Sequence, residues 1–113
     1  MDSILTSIKK LLGIEEEYEH FDTELIMNIN SVFMILMQLG VGPAEGFSIE
    51  DKNATWSSFL AGRLDLNAVK TYGYLKVRLM FDPPQIGFLL ESVNKQITEL
   101  EWRLNVQAEK EES

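Results

Sequence analysis

The residues that could do chemistry are few and poorly grouped. His20 is the one histidine. It sits in "IEEEYEH", with no second His and no Cys to share a metal ion or activate a nucleophile. It reads as a surface histidine. Glu15, Glu16, Glu17 and Glu19 crowd around it. With Asp22 and Glu24 they put six acids, and no Lys or Arg, into residues 15–24. Such a cluster attracts cations weakly, but it lacks the ligand pattern and central glycine of a calcium loop. A solvated acidic face is expected instead. Ser57 and Ser58 have no G-x-S-x-G setting. "GVGPAEG" is glycine-rich, yet it lacks the Lys and Ser/Thr of a phosphate loop and follows no strand. Without cysteine there is no thiolate, disulfide or Cys-based zinc site. The expectation is a protein that is not an enzyme, with no catalytic residue, metal site or cofactor.

Bulk properties narrow the class further. The 113 residues suit one domain, and 45% hydrophobic with 25% charged residues is a globular composition. A net charge of -8 opposes a tight grip on nucleic acid, which needs surplus Lys and Arg at phosphates. No apolar run reaches the roughly 18 residues of a membrane span. "MDSILTSIKKLLG" lacks the basic flank and cleavage site of a signal peptide. The sequon "NAT" at residues 53–55 is then a chance match.

The elements that must position these residues are helical. Asp2 or Ser3 caps a first helix, with Ile4, Ile8, Leu11 and Leu12 on one face, Lys9 and Lys10 near its end, and Gly13 closing it. Asp22 caps a second helix that Gly40 ends. Leu25, Ile29, Val32, Leu36 and Leu39 form its core stripe, widened by Ile26, Phe33 and Met37. A short third helix covers "ATWSSFLA", capped by Asn53 or Asp51, with Gly62 after its end. Asp65 starts a fourth helix, apolar nearly all round through Leu66, Val69, Tyr72, Leu75, Val77, Leu79 and Met80, hence central. Pro83 and Pro84 stop it near Phe81. Proline also suits a helix's first turn, so Asp82, Pro83 and Pro84 form a corner that caps and starts a fifth helix. The fold class is all-α: a compact bundle of about five helices ending in a long antiparallel hairpin. Residues 1–106 form the single domain and 107–113 a polar, disordered tail.

The fifth helix has two faces. Ile86, Leu90, Val93, Ile97, Leu100 and Leu104 make the inward stripe, while Glu91, Lys95, Glu99 and Arg103 recur every four residues with alternating sign. At about 100° per residue, Phe88, Trp102 and Val106 point away from the stripe. Met27 and Met34, seven apart, similarly oppose the stripe of the second helix. These residues are either covered within the monomer, by the first helix, the tail or a loop, or they form a protein–protein surface. Exposed aromatics rimmed by charge mark such surfaces. Phe88, Trp102, Val106, Met27 and Met34 are the candidate intersubunit contacts.

The whole pattern resembles a known family. "SIKKLLGI", "MQLGVG", the "FSIED" and "TW…FL" blocks, "VKTYGYLKVRLMFDPPQ" and "LLESVNKQITELEWRLNV" are similar to the phage head–tail connectors. These are small helical head-completion or DNA-packaging proteins of tailed phages. The likeness runs from about Ile4 to Val106, and its motifs are structural. It implies a structural adaptor of the phage neck, encoded by a phage or prophage. That adaptor assembles as a homo-oligomeric ring between portal and tail-completion proteins, with DNA only passing through its channel. It implies a place in the virion neck, and in the host bacterial cytoplasm during assembly, with no membrane partner. Glu15, Glu16, Glu17 and Glu19 would then face the lumen or a rim. The alternative is a small helical DNA-binding packaging factor resembling a terminase small subunit. It draws on "AGRLD", a plausible helix-turn-helix joint, although the following helix is too apolar to read bases.

Overall fold

The computed structural model describes residues 3–61, 63 and 68–112, the last three without their side chains. Its first helix, α1 (Ile4–Leu12), starts where Ser3 Oγ accepts a hydrogen bond from the Thr6 N–H at 3.2 Å. It ends at Gly13, whose φ of 82° is the left-handed region a glycine enters freely. α2 (Asp22–Gln38), α3 (Trp56–Leu60), α4 (Ala68–Phe81) and α5 (Gly87–Glu112) follow. Among the described residues the architecture is an all-α bundle of five helices. Among the described residues, β pairing is limited to one isolated bridge between Ser3 and Thr55.

α4 is the centre. It packs against α1, α2 and α5, and Val69, Tyr72 and Val77 lose essentially all contact with solvent. α2 contributes Leu25, Ile29, Val32, Phe33 and Leu36, and α1 contributes Ile4, Leu5 and Ile8. Each such side chain stabilises the fold by about 1.5–3 kcal/mol relative to exposure. α3 supplies Trp56 and Phe59, which join Phe33 and Phe47 in an aromatic cluster, edge-on except for the tilted pair Phe33–Phe59. The buried Trp56 indole N–H donates to Ser7 Oγ at 2.8 Å, tying α3 to α1. The loop between α2 and α3 is pinned by Asn30. Its amide accepts from the Ile49 N–H at 2.7 Å and donates to the Ile49 carbonyl at 2.9 Å, imitating a strand pairing.

Several local expectations are corrected. Leu11 is exposed and Leu5 takes the core position, because α1 is rotated to bury Lys9. Asp22 lies inside α2 rather than capping it. Phe21 holds the cap position, and the Asp22 carboxylate is engaged elsewhere. Thr55, not Asn53 or Asp51, caps α3 by accepting from the Ser58 N–H, while Asp51 spends its carboxylate on Asn53. Met80 is exposed near the end of α4. The expectations for Asp2, Gly62, Asp65 and Leu66 fall outside the described residues.

The corner also differs from the sequence reading. α4 does end at Phe81, but α5 begins only at Gly87. Asp82 therefore stands too far ahead to cap α5, and Pro83 and Pro84 lie in the joint rather than in its first turn. Pro84 keeps Pro83 out of helical geometry, and the Gln85 side chain folds back onto the Pro83 carbonyl at 3.2 Å. The Ile86 carbonyl accepts the first N–H groups of α5, from Leu89 and Leu90. Ile86 is consequently 52% exposed and outside the core, whereas Val93, Ile97 and Leu104 are buried and Leu100 packs beside them. At its far end α5 passes Val106 and continues to Glu112. Ala108 is buried there, close to where a side chain on Gly40 would sit. Asn105 donates to the Leu39 carbonyl at 3.0 Å. Those contacts with the end of α2 give the polar segment a reason to stay helical.

Candidate functional site

Lys9 organises the acidic segment. α1 buries its stem, leaving 3% of the side chain exposed. The ammonium reaches the Glu16 carbonyl at 2.9 Å, the Tyr18 carbonyl at 2.7 Å and the Asp22 carboxylate at 2.8 Å. The contact with Asp22 Oδ1 is ionic rather than an aligned hydrogen bond. A buried cation needs this many oxygens to offset its lost hydration. The loop therefore wraps around the ammonium with its carbonyls inward. Glu15, Glu16, Glu17 and Glu19 point their acids to solvent, and His20 is exposed beside them. Its ring packs edge-on to Phe21 at 4.8 Å, which agrees with a surface histidine. Leu5, Thr6, Glu16, Glu17, Glu19 and Lys52 complete an open cleft of about 290 Å³ around Lys9 and Asp22.

Tyr72 and Glu101 form a strut between the buried centre of α4 and α5. The Tyr72 hydroxyl donates to Glu101 Oε2 at 2.8 Å. Burial, then the hydrogen bond and the charge of Glu101, push the phenol well above its ordinary range. The group stays neutral and acts as a tether. The apolar gap lined by Ile8, Ile29, Phe33, Trp56 and Val77 has a volume of only about 10 Å³, too small for a ligand. Among the described residues no group of three or more His, Asp or Glu could hold a metal ion. None of the described helices is long and apolar enough to cross a membrane.

The chemically suggestive feature is therefore surface. Phe88 is 70% exposed, Trp102 67%, Met27 66% and Met34 61%, so the monomer covers none of the four. Val106 is half-buried. Phe88 and Trp102 share the outward face of α5, about 21 Å apart along its axis. Met27 and Met34 make a separate stripe on α2. Both helices flank α4, but the two patches belong to different helices. The sequence reading missed part of the apolar surface: Met80, Ile86 and Leu89 surround the corner and are each more than two-fifths exposed. The signal was available in the prolines, which stop α4 at Phe81 and put an irregular joint before α5 begins at Gly87. Contiguous exposed apolar patches, unlike single scattered residues, are the kind of surface that protein contacts use.

A family model described as phage connector protein matches residues 4–111, nearly the whole chain. No curated protein and no solved structure matches.

Proposed function

Since the chain belongs to the phage connector protein family, we propose that it is a structural adaptor of the phage neck. In this reading it assembles as a ring between portal and tail during virion assembly, DNA packaging and head completion. Membership in a connector family implies interaction with other phage structural proteins; the ring and its neighbours are the added step. The observation that carries it is the outward face of α5, where Phe88 and Trp102 stand in solvent among charges. A ring needs two different surfaces on each subunit, one meeting the other on the next copy. The α5 face and the Met27–Met34 stripe of α2 supply two such surfaces on separate helices. The exposed acids Glu15, Glu16, Glu17 and Glu19 then line the channel or its rim, where negative charge keeps passing DNA from adhering.

The test is assembly of the purified chain on portal-bearing heads, followed by electron microscopy. Closed rings that lose their order in Trp102→Ala support the reading. Unchanged rings in that variant remove α5 from the contact. The alternative, a small helical DNA-binding packaging factor, requires a salt-sensitive shift of DNA by the isolated protein. The exposed acids oppose that outcome.

A further inference from the structure

The charges on the outward face of α5 have an order that singles out one partner. Glu91, Lys95, Glu99 and Arg103 are all exposed. Their signs run minus, plus, minus, plus. Read in the opposite direction the order inverts. A second α5 laid antiparallel, with both helices centred at position 97, sets Arg103 opposite Glu91 and Glu99 opposite Lys95. The two-fold axis then repeats each pair, giving four favourable contacts. The same operation brings Phe88 over Val106 and Trp102 over Ser92, taking two exposed aromatics out of water. A parallel copy in register would instead face like charges with like.

We propose that free chains form a two-fold dimer through the outward faces of α5, with a second copy of this chain as the partner. An isologous contact of this kind needs a surface complementary to itself under a two-fold axis, and the charge order provides one. Within one chain Arg103 contacts Glu99 at 2.7 Å, but both side chains are about three-fifths exposed. An exposed pair of that kind is weak, so sharing its charges with a partner costs little. One pair of helix faces buries less than a standard interface, so the dimer is weak and sensitive to salt. Its consequence is regulatory. The dimer covers Phe88 and Trp102 and so keeps free chains from joining each other in longer assemblies until a stronger partner displaces the second copy. The pairing itself does not depend on the ring reading.

Sedimentation equilibrium at low salt tests it with two single variants, Arg103→Glu and Glu91→Arg. The parent is expected at twice its 12.9 kDa chain mass, with dissociation strengthened about tenfold or more by raising salt from 0.05 to 0.5 M. Each variant alone opposes like charges twice and is expected to be monomeric. An equimolar mixture restores both pairs and is expected to dimerise. The parent dimer should also give one set of amide resonances, because its two subunits are equivalent. Circular dichroism shows whether each variant keeps its helices. A monomeric parent, a parent ring without dimer, dimeric single variants, a folded mixture that stays monomeric, or doubled resonances would each overturn the proposal. Ring formation on portal-bearing heads is measured separately, so its failure is distinguishable from failure of the dimer.

Discussion

Lys9→Met isolates the ammonium that holds the acidic segment. The substitution keeps the buried stem and removes the charge. It leaves the Glu16 and Tyr18 carbonyls and the Asp22 carboxylate facing an apolar group. Hydrogen bonds to a charged group are worth about 1.5–3 kcal/mol each, and losing one partner of a buried pair costs about 3–5 kcal/mol. Asp22 retains 26% of its side-chain exposure, so water recovers part of the loss. Loop carbonyls can also turn outward. The expected cost is about 3 kcal/mol, which for a domain of this size lowers Tm by about 10 °C. Urea unfolding followed by circular dichroism measures it, with Lys10→Met as the exposed neighbour expected to change stability by less than about 0.5 kcal/mol. Hydrogen exchange in residues 14–22 should accelerate in the Lys9 variant alone. A Lys9→Met protein within about 0.5 kcal/mol of the parent would refute the account, because the ammonium would then not hold the loop.

Other expectations follow from single contacts. Tyr72→Phe removes the bond to Glu101 and should cost about 1 kcal/mol in denaturant unfolding. Because the folded phenol titrates above its unfolded value, the folded state holds that proton longer; stability falls as pH rises past about 10, and Tyr72→Phe should flatten this alkaline decline. Gly42→Ala places a Cβ 2.6 Å from Phe59 Cε1 at a φ of 92°, and should cost about 2–3 kcal/mol by thermal unfolding. Trp102→Ala should leave Tm nearly unchanged, since the side chain is 67% exposed, while light scattering under assembling conditions shows loss of assembly.

The bundle was legible because its helices carry their own boundaries. Ser3, Gly13 and Gly40 act locally, and the core residues of α2 and α4 recur at helical spacing. That Phe88, Trp102, Met27 and Met34 lie out of phase with those stripes was legible for the same reason, but their exposure was not, because the sequence alone leaves open whether a neighbouring element covers them. What escaped depends on contacts far apart in sequence. Lys9 looks like an ordinary cation near a helix end, and nothing local reveals that loop carbonyls will surround it. Asp22, Asp51 and Asn53 are all good capping residues by type, but their side chains are engaged by Lys9 or by each other, leaving Phe21 and Thr55 at the caps. Pro83 and Pro84 were rightly read as a stop for α4. Their effect on the start of α5 depended on how Gln85 and Ile86 complete the turn. The helix past Val106 was masked by its polar sequence, although Asn105 and Ala108 meet Leu39 and Gly40 just beyond the end of α2.

The most direct test of the connector account is electron microscopy of the neck of phage particles assembled in the presence of this chain. The account predicts a closed ring of copies beneath the portal, with the outward face of α5 against the neighbouring subunit and the segment bearing Glu15, Glu16, Glu17 and Glu19 toward the channel or its rim. A neck that lacks the chain, or a ring in which Trp102 stays in solvent and the acidic segment lies on the outer wall, would contradict it.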